Sequence, residues 1–213
     1  SGLAKSALMD LLFYGLGYDH VQWRIIKAKT KIEQATALNS LSPEVLEANG
    51  YYFYYAYRDY SKALKYFDQA KNLEPGKSRH IQNIGYILRR QGKIQESLKN
   101  LHTALDISPN EASLAFQIML SYDQTREYKK AEEMIDRALS LYPNNQVNLM
   151  QKAWFKYYGH KNLSLLIDEL LTLRNRYEDV NNFMTFNIAE ALFRNRKYNL
   201  VINELENVNE PFN

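Results

Sequence analysis

Lys71-Asn72-Leu73-Glu74-Pro75, Leu105-Asp106-Ile107-Ser108-Pro109 and Leu139-Ser140-Leu141-Tyr142-Pro143 are three versions of one phrase, and their prolines stand 34 residues apart. Proline lacks the amide donor a helix needs and disfavours helical backbone in the residue before it, so each phrase reads as a helix end. A fixed period of this size marks a repeat architecture, in which each unit buries its apolar face against its neighbours.

Counting back from each proline exposes two amphipathic helices per unit. In the unit that begins at Ser78, Ile81, Ile84, Gly85 and Leu88 form one stripe, Gly92 ends the helix, and Ile94, Leu98, Leu101, Ala104 and Leu105 form a second. The next unit gives Ala115, Ile118, Met119 and Tyr122, then Tyr128, Ala131, Ile135 and Ala138. The preceding one gives Tyr54, Tyr60, Ala63, Phe67 and Ala70. Gly85, Ala63, Ala131, Ala70, Ala104 and Ala138 fall where two helices cross closely, a place that excludes larger side chains. Phe67, Leu101 and Ile135 fill the space between one pair and the next.

These residues resemble the tetratricopeptide pattern: a small residue in the first helix, an aromatic three later, then Ala, a bulky residue, Ala and Pro. The sequence departs from it at Tyr51 and Met119, which stand at the small first-helix position, at Leu88 for the aromatic and at Ser97 for the first Ala. The resemblance implies an all-α fold, a right-handed α-α superhelix of about six antiparallel helix pairs filling residues 1–213 as one solenoid. The repeats are expected at about 44–77, 78–111, 112–145, 146–181 and 182–213. A degenerate pair at 4–40, turned at Gly15 and Gly17, precedes them. The stretch Tyr51–Tyr60 with Ala63 and Leu64, followed by Ile84–Gly92, further resembles tetratricopeptide regions fused to bacterial signalling and transcription-regulator proteins. That resemblance implies a regulatory partner domain, and the Ser1-Gly2 start reads as a cloning or processing scar on a piece of a longer protein.

Composition narrows the function. The chain has 213 residues, 46% of them hydrophobic, with 27 basic and 24 acidic residues spread along it, so a concentrated basic face for direct nucleic-acid binding is not expected. Arg89-Arg90 and Arg194–Lys197 read as solvated helix ends. Zero cysteines exclude disulfides and thiolate metal sites, and no apolar run reaches membrane-spanning length. His20, His80, His102 and His160 lack metal-ligand spacing, and no phosphate loop or nucleophile elbow occurs. Hence no catalytic residue, metal or cofactor is expected. Asn162-Leu163-Ser164 fits a glycosylation acceptor by chance. The expected location is cytoplasmic, with a periplasmic part of a larger membrane protein as the other option.

The expected partner is a protein or peptide in the concave groove, lined by first-helix residues that point away from the stacking core. These are Asn49, Tyr52 and Tyr55; Arg79, Gln82, Asn83, Tyr86 and Arg89; Phe116, Gln117 and Leu120; and Met150 and Trp154. Aromatic rings supply contact area at small entropic cost, and side-chain amides match the backbone of an extended peptide. A structural scaffold or oligomerisation module without a discrete ligand site is the alternative. The last helix, with Val201, Leu205 and Val208, lacks a polar cap after it, so the C-terminal edge is expected to be covered by sequence outside this chain or by a second copy in a homodimer.

Overall fold

The computed structural model describes residues 2–15, 21–179, 182–206 and 208, and among them every regular element is helical. The chain divides into two compact units, Ser1–Pro109 and Asn110–Asn213.

The first unit contains α1 (Gly2–Gly15), α2 (Gln22–Leu38), α3 (Pro43–Tyr52), α4 (Tyr60–Leu73), α5 (Ser78–Arg90) and α6 (Ile94–Ile107), with a π-helical turn at Phe53–Tyr57 running on from α3. Helices α1 and α2, α3 and α4, and α5 and α6 pack as pairs. The turn expected at Gly17 lies outside the described residues, whereas Gly15 ends α1 against another helix. A β-carbon there would come within 2.0 Å of the Tyr55 ring. Ala7, Leu11, Ala28, Ile32, Ala35 and Val45 form one core cluster, and Ala63, Phe67, Ile84, Ile87 and Leu88 another.

Close helix crossings occur at the glycines. A β-carbon on Gly85 would lie 2.8 Å from Leu101, and one on Gly50 would lie 2.7 Å from the Phe67 ring. Tyr51 therefore does not occupy the small position that the repeat spacing assigns to it; Gly50 does. The π turn accounts for the slip, because it inserts one extra residue before α4 resumes the common register. The Ser97 departure also has a reason. Ser97 is wholly buried beside Gly85, and its hydroxyl donates to the Gly85 carbonyl at 2.7 Å. A hydroxyl in that place is satisfied, so it costs little.

The second unit holds α7 (Ala112–Gln124), α8 (Tyr128–Leu141), α9 (Gln146–His160), α10 (Leu163–Arg176), α11 (Phe183–Arg194) and α12 (Tyr198–Glu206). Consecutive helices pack against one another throughout. Met119, Ala131, Ile135 and Phe155 form one cluster, and Met150, Trp154, Leu166, Leu170, Met184 and Ile188 belong to a second. Asn162, met in the sequence as part of a glycosylation pattern, caps α10: its side chain accepts from the Leu165 amide at 3.1 Å.

One backbone feature recurs. Arg58, Gly92, Arg126, Lys161 and Arg196 all have positive φ, and each sits in the turn between the two helices of a pair, 34 or 35 residues after the last. After α5 the Gly92 amide donates to the Arg89 carbonyl at 3.0 Å and the Lys93 amide to Leu88 at 2.9 Å. Arg126 and Glu127 repeat this pattern after α7, as do Arg196 and Lys197 after α11. It is the Schellman arrangement, which ties off orphaned carbonyls at a helix end.

Two measurements check this account through urea midpoints of the whole chain. Phe67→Ala is expected to cost about 3–5 kcal/mol by emptying a buried site. Gly92→Ala is expected to cost about 1–2 kcal/mol, the strain of a β-carbon in left-handed backbone, while Arg126→Gly at the equivalent turn changes stability by less than about 1 kcal/mol.

Candidate protein-interaction site

In the first unit, α5 brings five of the expected residues together because positions three and four apart share a helix face. Their degrees of burial differ. Arg79 is exposed, Gln82, Tyr86 and Arg89 are half-buried, and Asn83 is only 3% exposed. Gln82 Nε2 donates to the Tyr86 hydroxyl, and the Arg89 guanidinium lies 5.6 Å from the centre of the Tyr86 ring. Burial lowers the Arg89 pKa. Asn83 accepts from the Tyr51 hydroxyl at 2.7 Å.

Two residues on α3 that sequence reasoning passed over complete this face. Glu47 and Tyr51 stand four apart, and Glu47 is 4% exposed. The Arg79 Nε atom lies 3.3 Å from Glu47 Oε1 but without hydrogen-bonding geometry, so Oε1 keeps no hydrogen-bond partner. Asn83 Nδ2 has none either. An acceptor and a donor, both buried and neither hydrogen-bonded within the chain, thus lie in one cluster with Tyr51 and Arg79. Leaving such groups unmade costs about 1–3 kcal/mol each, more for a charge. The available signal was the pairing of an acidic and an aromatic position with Arg79 and Asn83, each 32 residues further along.

Asn49, Tyr52 and Tyr55 do not join that face. Asn49 Nδ2 donates to the Val45 carbonyl of its own helix at 2.9 Å. Tyr52 is 7% exposed, packed in the α1–α3 core, with its hydroxyl 3.2 Å from that of Tyr57. Tyr55 stacks on Tyr51, with centroids 5.9 Å apart and planes 8° apart, and meets Tyr54 edge-on. The extra residue of the π turn rotates the backbone beyond it by about 100° from the α-helical expectation, which takes Tyr55 out of the groove register.

In the second unit the expectation of outward-facing side chains fails at two positions. Met150 is 1% exposed and Trp154 5% exposed, both inside the α9–α11 cluster. Trp154 donates its indole N–H to Asn187 Oδ1 at 2.8 Å, and the Arg194 guanidinium covers its ring at 5.2 Å. Phe116 and Leu120 are half-buried against the Met119 and Ile135 cluster, and Gln117 is half-buried on the same helix. A first-helix position that faces the next pair has the same spacing as one that faces solvent, so periodicity alone did not separate the two.

The tyrosines give a pH dependence. Burial pushes the Tyr55 phenol up to about 12, and burial together with the Glu47 charge pushes Tyr51 further the same way. In the unfolded chain both ionise near pH 10, so there the unfolded state sheds protons first and the folded state is progressively disfavoured. Stability complete below about pH 10 is expected to fall between about pH 10 and 12, read by helicity against the phenolate absorbance, and Tyr55→Phe is expected to flatten that fall.

Among the described residues no group of three or more His, Asp or Glu side chains gathers as a metal site, and no helix is long and apolar enough to cross a membrane. Residues 116–145 match the family described as tetratricopeptide repeat. The peroxisomal targeting signal receptor of Saccharomyces cerevisiae is 22% identical over 132 residues, 62% of this chain, and the match spans 21% of that receptor's length. Among solved structures, PilF of Pseudomonas aeruginosa matches with a TM-score of 0.67 at 16% identity, over 96% of this chain and 90% of that one. A MamA double mutant gives 0.62 at 18% identity, over 84% of this chain and 98% of its own. A MamA crystal structure gives 0.57 at 16% identity, over 84% and 93%. Residues 116–145 thus match a tetratricopeptide repeat, and the described residues form an all-α helical-repeat fold similar to those solved structures.

Proposed function

We propose that the chain is an interaction module that takes up a peptide segment of a partner protein on the α3–α5 face of the first unit. The observation that carries this reading is the pair of buried groups without a hydrogen bond, Asn83 Nδ2 and Glu47 Oε1. A peptide backbone offers one carbonyl and one amide per residue, the complement of one donor and one acceptor. Arg79 beside Glu47 and the half-buried Tyr86 and Arg89 add a charge and a ring for side-chain contact. The likeness to a targeting signal receptor supports the reading, as does the sequence resemblance to repeat regions fused to bacterial signalling and transcription-regulator proteins. In this reading the module is the regulatory arm of a larger cytoplasmic signalling or transcription protein, and it performs no catalysis itself.

A second reading rests on the C-terminal edge. Between α11 and the α12 segment a hollow of about 420 Å3 is walled by Phe186, Ala189, Phe193, Val201, Leu205 and Val208 with Glu190 as its one charged residue, and Phe193 is 60% exposed. Exposed apolar surface of this kind suits self-association, the oligomerisation alternative.

Peptides selected from a random displayed library give the test. Affinities of the selected peptides are then compared for wild type, Asn83→Ala and Arg79→Glu, each with unchanged helicity. Asn83→Ala is expected to weaken binding roughly tenfold by removing the donor. Unchanged affinity in both variants would sink peptide capture at this face. Light scattering on Phe193→Glu decides the second reading: a dimer lost only in the variant supports it.

A further inference from the structure

The π turn builds a second feature of the first unit. Tyr52, Phe53 and Tyr57 from α3 and the turn, with Tyr66 from α4, wall a hollow of about 550 Å3 that reaches α2. Phe53 stands at its centre: it lies parallel to Tyr66, with centroids 5.6 Å apart and planes 6° apart, and edge-on to Tyr52 at 5.7 Å. Two carboxylates line the same hollow, Asp59 just past the turn and Glu33 from α2. π turns concentrate at functional positions in proteins, and here the turn supplies two of the four rings.

The protein shows what this wall holds. The ammonium of its own Lys62 stands 5.2 Å from the centre of the Phe53 ring and 3.2 Å from Asp59 Oδ2. Ring face and carboxylate together therefore bind a cation, and Lys62 is a weakly fixed one, with 62% of its side chain exposed. An exposed pair of this type is worth little, so the lysine leaves at small cost. The second lining cation, Lys29, is 3.8 Å from Glu33 and 56% exposed. With both lysines turned to solvent, the hollow presents two carboxylates beneath aromatic faces.

We propose that this hollow receives an arginine side chain of a partner, which displaces Lys62 from the Phe53 ring and pairs with Asp59 and Glu33. Arginine suits it better than lysine, because a planar guanidinium stacks on a ring and pairs with a carboxylate at the same time. The proposal rests on the reading of the chain as a peptide-binding module and names one side chain the partner would carry.

The test titrates the whole chain with acetyl-glycyl-arginyl-glycinamide and with its citrulline counterpart, which has the same shape and no charge, reading amide NMR shifts. Binding of the arginine probe is expected on the order of 1 mM, with shifts at Phe53, Tyr57 and Tyr66. Lys62→Ala removes the internal competitor and is expected to tighten it several-fold. Asp59 also caps α4, its Oδ1 accepting from the Lys62 amide at 3.0 Å, and Asp59→Asn keeps a competent cap while it is expected to weaken probe binding several-fold. Equal binding of the citrulline probe, no gain in Lys62→Ala, or shifts centred on Glu47 instead would overturn the proposal. Asn83→Ala leaves this titration unchanged, so failure here and failure of peptide capture on the α3–α5 face are read separately.

Discussion

The architecture depends on how closely two helices of a pair can approach. Where Gly85 meets Leu101, and Gly50 meets Phe67, the absent β-carbon would stand under 3 Å from the opposing side chain. Such a crossing excludes side-chain bulk on one helix and lets a large apolar group fill the groove on the other. Phe67 and Leu101 are 1% and 0% exposed, so their full apolar area is removed from water at the crossing. On the second helices the 34-residue period returns a small residue to the same place, at Ala70, Ala104 and Ala138. The alanines at 63, 70, 104, 131 and 138, each 0% exposed, carry the same constraint onto α4, α6 and α8.

The Phe53–Tyr57 turn shows how the fold absorbs an extra residue. One residue inserted at the end of α3 moves the close contact from position 51 to Gly50 and turns Tyr55 toward Gly15. Yet the link from there into α4 stays in step, since Arg58 has the same left-handed backbone as Gly92 and Arg126. For residues other than glycine that conformation costs about 1–2 kcal/mol. The capping hydrogen bonds after α7 and α11 offset it, and the basic side chains at these turns suit the negative ends of the preceding helices. Repeats therefore tolerate local slippage when the inter-helix turn is held.

These two features also mark how far the sequence could be read. Helix pairs, their punctuation by proline and the core identities of Phe67, Leu101 and Ile135 come from spacing and residue size. Solvent direction does not. Met150 and Trp154 share the spacing of groove residues, but packing against α10 and α11 buries them. The π turn has no marker in Phe53-Tyr54-Tyr55-Ala56-Tyr57, because a run of aromatics is compatible with either helical register. Tyr52 and Asn49 were expected to line the concave groove, and both border the hollow that reaches α2 and α4. Glu47 was missed since a charged residue in an amphipathic helix reads as solvated surface, and only the fold buries it.

Burial of charge separates a staple from a site in this molecule. Asp10 is 6% exposed, and its two oxygens are each taken by a cation, Arg24 at 3.1 Å and Lys31 at 2.7 Å, so α1 and α2 are tied by a complete set. Glu47 is as deeply buried, but it faces one arginine whose geometry makes no hydrogen bond, beside an asparagine donor with no acceptor. A buried carboxylate is retained against its desolvation cost only if neighbours compensate for it. Asp10 meets that condition in full within the chain, whereas Glu47 Oε1 has the Arg79 charge at 3.3 Å but no hydrogen bond, and Asn83 Nδ2 has no hydrogen bond. The same physical test, applied to two acids in one unit, separates a closed ion-pair set at Asp10 from an incompletely hydrogen-bonded one at Glu47.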